Sequence, residues 1–174
     1  MKEGILFTGV PSPAELAASP GFPDPVFREK GRIAVIECVQ EIPCNPCEGA
    51  CKWGAIQIGD HITNLPALIP EKCTGCGICI ANCPGLAITV IDNNFSETES
   101  SIDFPFEYLP LPKVGDVVEA VNRMGESVCR GRILAVKRSK AFVGTTVVSM
   151  AVPKEYQDIV RSMKRLPIPE KEGE

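Results

Sequence analysis

The chain has 174 residues, of which 44% are hydrophobic and 6% aromatic, and its formal net charge is −4. This length allows one domain or two small ones, with room for a modest core rather than a large enzyme cavity. The acidic balance, without basic stretches interleaved with aromatic residues, argues against nucleic-acid binding.

The chain contains nine cysteines, sixteen prolines and fifteen glycines. Many turns and short elements are therefore expected, as in folds that a metal site stabilises in place of a large core. No run approaches the roughly 18 apolar residues of a membrane span, and no secretory apolar region is present. We therefore expect a soluble cytoplasmic protein whose cysteines are ligands rather than disulfides.

Residues 1–31 form the first predicted region, a proline-rich extended arm. Five prolines between Pro11 and Pro25 interrupt regular structure. A short helix is predicted at Pro13–Ala18, with Ser12 as its N-cap. The apolar residues of the arm indicate that it lies on a neighbouring surface, in this chain or in another subunit.

Residues 32–92 contain a repeated pattern of cysteines. A strand is predicted at Ile33–Glu37. Two blocks of cysteines follow it, and shifting the sequence by 32 residues aligns part of the first block with the second. The aligned pairs are Cys44 with Cys76, Cys47 with Cys79, Cys51 with Cys83, Ala55 with Ala87 and Ile56 with Ile88. Cys38 aligns with Cys73 at a shift of 35, so we interpret two copies of one unit with a three-residue insertion in the first.

The second block, from Cys73 to Pro84, fits C-x2-C-x2-C-x3-C-P, the iron-sulfur motif of bacterial ferredoxins. Residues 33–92 thus resemble the bacterial-type ferredoxins with two [4Fe-4S] clusters. The resemblance implies two hairpins and two short helices related by a pseudo-twofold axis, and an anaerobic or low-oxygen interior. The first block departs from the family pattern in its Cys38–Cys44 spacing and in having Lys52 where proline follows the fourth cysteine.

The resemblance also implies the ligands of each cluster. In the family, three cysteines of each block hold one cluster and the fourth crosses to the other. The first implied set is Cys38, Cys44, Cys47 and Cys83. The second implied set is Cys73, Cys76, Cys79 and Cys51.

The residues around the motif predict unequal clusters. Gly75 and Gly77 lie between ligands, where a missing side chain lets backbone N–H groups approach sulfur. Near the first cluster Pro46 removes one such donor, and Glu41 and Glu48 add negative charge. Hydrogen bonds and charge set the reduction potential, so we hypothesise that the first cluster has the lower potential.

The remaining segments are predicted as a linker at 93–112, a small antiparallel β module at 113–153, and a C-terminal helix with a frayed tail at 154–174. Residues 92–108 contain five acids and no base, and 113–153 have a net charge of +4. These segments are solvated, or they meet each other or a partner subunit. The whole chain is therefore predicted to be α+β.

Cys129 and His61 lie outside the two cysteine blocks or between them, and neither is an implied ligand. Cys129 lies in the β module without a partner, and we predict a buried structural thiol, with a replacement ligand or a reactive site as the alternatives. His61, the one histidine, is predicted on an exposed hairpin loop as a surface residue.

Motifs for a substrate or a second cofactor are missing: no dinucleotide fingerprint follows a strand, and no P-loop or zinc-protease motif is present. A chain of this kind is expected to move single electrons for another polypeptide. The block IECVQEIPCNPCEGAC is similar to ferredoxin-like subunits of heteromeric flavin-dependent amino or imino acid dehydrogenases, of the proline or hydroxyproline type. That similarity implies an FAD- or FMN-containing dehydrogenase as the partner in a hetero-oligomer. The alternatives are a diffusible ferredoxin and a zinc-binding interaction module, since zinc sites also use pairs of C-x2-C.

Overall fold

Short helices and antiparallel strands alternate along the chain. The computed structural model describes residues 2–29, 31–142 and 144–168. The helices of this described part are α1 Ile5–Thr8, α2 Pro13–Ala18, α3 Pro25–Arg28, α4 Pro46–Ala50 and α5 Ile78–Asn82. Its strands are β1 Ile33–Ile36, β2 Ile56–Gln57, β3 Ala67–Leu68, β4 Ile88–Asp92, β5 Glu99–Phe106, β6 Val117–Val121, β7 Ser127–Lys137, β8 Thr146–Pro153 and β9 Ser162–Met163. Three 3-10 turns lie at Pro70–Lys72, Lys140–Phe142 and Lys154–Tyr156.

One sheet of seven strands connects both halves of the chain. Its order is β1-β4-β5-β8-β7-β6-β9, and each neighbouring pair is antiparallel. Strands β2 and β3 form a separate antiparallel pair. The cysteine-rich region therefore contributes β1 and β4 to the end of a larger sheet.

Two hydrophobic cores lie against this sheet. Residues of β1 enter both cores, with Ile33, Ala34 and Ile36 in the first and Val35 in the second. Strand β4 does the same, with Val90 in the first core and Ile91 in the second. Both strands are thus buried on both faces, and burial of each of their Val or Ile side chains contributes about 1.5–3 kcal/mol.

The predicted helix at Pro13–Ala18 is confirmed as α2. The Ser12 Oγ accepts a hydrogen bond from the Glu15 N–H, and the Glu15 carboxylate accepts one from the Ser12 N–H at 2.7 Å, which completes a capping box. The prediction of an otherwise extended arm is wrong, because α1 and α3 also form, and Asp24 caps α3. Among the described residues no helix has the length and apolarity that crossing a membrane requires.

The prediction of a linker is wrong for residues 99–106, which form β5 between β4 and β8. The Ser and Asp residues of β5 are typical of a solvated segment. In the structure, however, Asp103 is fully buried and held by ion pairs. Pro105 is tolerated in this strand because the pairing with β4 ends at Asp103, so Pro105 has a ladder partner on one side.

The acidic and basic segments meet each other, as one of the two interpretations proposed. Glu99 pairs with Arg132 at 3.0 Å, and Asp103 pairs with Lys137 at 2.6 Å. Each pair joins β5 to β7 across the intervening β8.

The antiparallel strands predicted for 113–153 are present as β6, β7 and β8, within the common sheet. The predicted C-terminal helix is wrong over the described residues, where a 3-10 turn leads into β9. The Arg161 N–H donates to the Val121 carbonyl and the Lys164 N–H to the Glu119 carbonyl, both at 2.9 Å. The free edge of β6 thus supplies the hydrogen bonds that a helix would have made internally, a case of tertiary context overriding a local pattern.

Candidate metal centre

Eight cysteines form two quartets, each around its own cavity. Cys38, Cys44, Cys47 and Cys83 line the first cavity. Cys51, Cys73, Cys76 and Cys79 line the second cavity. Each quartet takes three thiols from one block and the fourth from the other. The structure therefore brings together the two sets that the family resemblance implied.

Two short helices and their ends position the crossing thiols. Cys47 lies in α4 and points to the first cavity, whereas Cys51 follows the helix and lines the second. Cys79 in α5 and Cys83 after it show the reverse arrangement. A helix rises about 1.5 Å per residue, so roughly 6 Å of helix separates the two cysteines in each case.

The loop that carries Cys76 requires glycine on both sides. Gly75 and Gly77 have φ angles of +62° and +80°, which other residues seldom adopt. A Cβ on Gly75 would lie 2.5 Å from the Cβ of Arg32, so a side chain has no space there. The Arg32 guanidinium donates hydrogen bonds to the Gly75 carbonyl at 3.3 and 3.4 Å. The loop is thus fixed against β1.

Burial raises the pKa of three quartet thiols, those of Cys38, Cys47 and Cys79, so they resist ionisation without a cation. Burial, reinforced by the nearby Cys83, Cys47 and Cys44, raises the pKa of Cys38 to about 11. Burial and neighbouring thiols likewise raise the pKa of Cys79 to about 12. Thiolates so placed need a cationic partner, and soft thiolate donors suit an iron-sulfur core. The donor set therefore fits [4Fe-4S] clusters.

Backbone N–H groups point at three of the sulfurs. The Ala55 N–H donates to Cys51 at 3.2 Å and the Ala87 N–H to Cys83 at 3.4 Å, in matching positions of the two repeats. The Ala34 N–H donates to Cys73 at 3.4 Å. Its counterpart in the duplicate, the Ile69 N–H, donates instead to the Ala55 carbonyl. Both quartets thus receive hydrogen bonds from backbone N–H groups.

The spacing of the thiols does not suit a single ion. Across the described residues no group of three His, Cys, Asp or Glu side chains could hold one metal ion. The thiols of each quartet instead surround a space between them.

Trp53, Cys129 and His61 lie at distinct places. Trp53 lines the second cavity with 60% of its surface exposed, so it lies at the mouth rather than in a core. Cys129 is half-buried in β7 opposite Ala120 and lines neither cavity. His61 is exposed, and its Nδ1 lies 2.6 Å from the Thr63 Oγ1, as expected for a surface residue.

Sequence reasoning missed Arg32 and Asp103, which support the second quartet. They are 71 positions apart, and Asp103 lies in the segment that was predicted as a linker. No local pattern connects them. The one available signal in the sequence was the Asp103 carboxylate, which occupies an alternating position of a possible strand.

Comparison with known proteins agrees with this geometry. Residues 66–89, which include Cys73, Cys76, Cys79 and Cys83, match the 4Fe-4S binding domain family. The chain therefore carries a ferredoxin-type domain that binds a [4Fe-4S] cluster.

Two of the similar proteins are named as oxidoreductase subunits, and a third is named as a translation initiation factor. The chain is 39% identical over 61 residues to one subunit of the ion-translocating oxidoreductase complex of Methanosarcina acetivorans, which covers 34% of this chain and 22% of the relative. It is 36% identical over 70 residues to the polyferredoxin-like subunit of an aliphatic sulfonate oxidoreductase of Pyrococcus furiosus, covering 34% and 39%. It is 30% identical over 148 residues to translation initiation factor RLI1 of Saccharomyces cerevisiae, covering 76% and 23%.

The chain thus spans between about a fifth and two fifths of the length of these relatives. No solved structure matches it.

Proposed function

We propose that the chain is an iron-sulfur electron-transfer subunit with two [4Fe-4S] clusters. Cys38, Cys44, Cys47 and Cys83 hold the first cluster, and Cys51, Cys73, Cys76 and Cys79 hold the second. The observation that carries this proposal is the pair of interleaved quartets, each lining one cavity. The similarity to subunits of oxidoreductase complexes supports it.

The chain's own residues hold and tune the clusters. Bound clusters supply one-electron redox chemistry. The thiolates ligate iron, and N–H groups such as those of Ala34 and Ala55 stabilise the negative charge that reduction adds to sulfur. Because α4 and α5 each connect the two quartets over a few residues, a short path exists for one electron between them.

The proposed partner is an FAD- or FMN-containing dehydrogenase subunit of a hetero-oligomer, with an amino or imino acid as its substrate. Such a flavoprotein oxidises its substrate by two electrons and releases them singly to the clusters, which pass them to an acceptor. The similarity of the first cysteine block to subunits of such enzymes supports this assignment. The whole assembly is proposed to work in the cytoplasm.

The test is anaerobic purification of the chain with its clusters, followed by iron and sulfide analysis. About eight irons per chain are expected, with a visible absorption that dithionite bleaches. A second step tags the chain in its native host and asks whether an untagged flavoprotein co-purifies. An iron content far below eight, or a metal that dithionite does not reduce, would refute the two-cluster proposal. A chain that carries reducible clusters and purifies alone would refute the flavoprotein partner and favour a diffusible ferredoxin.

A second candidate comes from the longer match to translation initiation factor RLI1, which covers 76% of this chain. Under this alternative the iron-sulfur domain belongs to a factor of the translation machinery. Co-purification with components of translation instead of a flavoprotein would select it.

A further inference from the structure

The second cavity opens to solvent at Cys76. Of the eight quartet cysteines, all of which the structure describes, Cys76 alone is exposed. Trp53 and Thr74, which line the same cavity, are exposed as well. Because electron transfer between proteins weakens steeply with distance, this open edge is the natural place for exchange. An exposed tryptophan beside it is the type of residue that anchors protein interfaces.

Basic residues adjoin two ligands of the second quartet in sequence, and another contacts the loop of Cys76, although the whole chain is acidic. Lys52 follows the ligand Cys51, Lys72 precedes the ligand Cys73, and both are exposed. Arg32 contacts Gly75, and Lys137 shares the carboxylate of Asp103 with Arg32. We call Arg32, Lys52, Lys72 and Lys137 the basic rim. With Glu71 and the buried Asp103 included, the rim has a net charge of +2.

The residues next to ligands of the first cavity differ in charge, because Glu37 adjoins Cys38 and Glu48 adjoins Cys47. Gln40, Ile42 and Pro84 line this cavity and are exposed, and none of them is charged. Glu37, next to the ligand Cys38, is held by Arg123 and Arg161. The two edges therefore offer different chemistry to a partner.

We propose that the protein exchanging electrons with the second cluster docks on the face around Cys76 and presents carboxylates to the basic rim. This inference rests on the proposed electron-transfer function. In the exchange a one-electron acceptor on the partner is reduced as the cluster is oxidised, and no bond or proton is transferred. Opposite charge on the two faces speeds encounter and fixes orientation.

The test uses small redox probes of opposite charge in place of the unidentified partner. The reduced, cluster-loaded chain is mixed by stopped flow with the anionic cobalt(III)–EDTA complex or with cationic hexaamminecobalt(III). We expect the double variant Lys52→Glu, Lys72→Glu to slow oxidation by the anion at least threefold and to speed oxidation by the cation. Both effects should disappear near 1 M salt, where the Debye length is about 3 Å.

The matched control is Lys113→Glu, Lys164→Glu, which changes net charge equally. Lys164 pairs with Glu119 at the other end of the sheet, beside β6 and β9. The quantity compared is the ratio of the oxidation rate by the anion to that by the cation. If this ratio changes far less in the control than in the Lys52→Glu, Lys72→Glu variant, the proposal is supported. Equal changes in both double variants, or no change in either, overturn it.

Cluster loading separates the possible failures. Iron content and bleaching by dithionite are measured before mixing, so a wild-type chain without reducible clusters refutes the proposed function itself. If the double glutamate variant does not load, Lys52→Gln, Lys72→Gln replaces it, with the same direction of effect expected. An unchanged rate ratio in that loaded variant overturns the proposal.

Discussion

The Arg32 Nη2 lies 2.6 Å from the Asp103 Oδ2, and this ion pair joins the residue before β1 to the middle of β5. Lys137 reaches the same carboxylate oxygen from β7 at 2.6 Å. Because Arg32 also holds the Gly75 carbonyl, the larger sheet supports the loop that carries Cys76.

Asp103→Asn tests this support. The variant leaves Arg32 and Lys137 without their shared counter-ion. We therefore expect the free energy of unfolding to fall by about 1–3 kcal/mol. The two bases are about one third exposed, with 36% and 33% of their side chains accessible, so solvent screens part of the effect. The measurement is the rate at which guanidinium chloride bleaches the visible absorption of the loaded protein, and the variant should bleach faster.

Glu99→Gln is the control for this variant, because Glu99 lies on the same strand but in an exposed ion pair with Arg132. If Glu99→Gln accelerated bleaching as much as Asp103→Asn, the special role of Asp103 would be rejected.

Glu37→Gln tests how the C-terminal segment is attached. The Glu37 carboxylate accepts hydrogen bonds from Arg123 at 2.5 and 2.7 Å and from Arg161 at 2.5 Å. We expect the variant to accelerate hydrogen exchange at residues 157–164 roughly tenfold, which corresponds to about 1.4 kcal/mol. Mass spectrometry of deuterated peptides measures this. Unchanged exchange in 157–164, relative to an Arg132→Gln control, would contradict the prediction.

Cys129 provides a pH-dependent test of the ligand assignment. Burial, with a smaller contribution from the charge of Glu155, raises the pKa of Cys129 above its ordinary value of 9.0. The thiolate is the reactive form, so alkylation at pH 8 should be slower than that of a free thiol and should speed up as the pH rises past 9. In the loaded protein iodoacetamide should label Cys129 and spare the other eight cysteines. Rapid labelling of any quartet cysteine in fully loaded protein would remove that residue from the ligand set.

Single substitutions test the crossed ligands. Cys51→Ala should remove the same EPR signal as Cys76→Ala, and Cys83→Ala the same signal as Cys44→Ala, because each pair lines one cavity. Comparing the spectra pairwise needs no prior assignment of signals to clusters. The opposite pairing, with Cys51→Ala matching Cys44→Ala, would show that each block holds its own cluster.

The two clusters should differ in potential. Pro46 removes one backbone donor near the first cluster and Glu41 and Glu48 add negative charge there, so we expect earlier reduction of the second cluster. Arg32→Gln removes a positive charge beside Gly75 and should lower the potential of the second cluster alone, on the order of a tenfold change in the one-electron equilibrium, or about 59 mV. An EPR-monitored redox titration measures both. The hypothesis would fail if the Cys38 cluster were reduced first.

The sequence by itself determined the two cysteine blocks and their repetition, the cap of α2 and the strands at β1 and β6–β8. Each of these signals is local: a spacing between thiols, a Ser12–Glu15 capping box, or a run of β-branched residues. The tertiary structure decided the rest. Residues 99–106 became a central strand because Arg32 and Lys137 neutralise Asp103, and residues 162–163 became a strand because the edge of β6 was free to pair. Contacts between residues tens of positions apart leave no periodic pattern in the chain, so the sequence could not predict them.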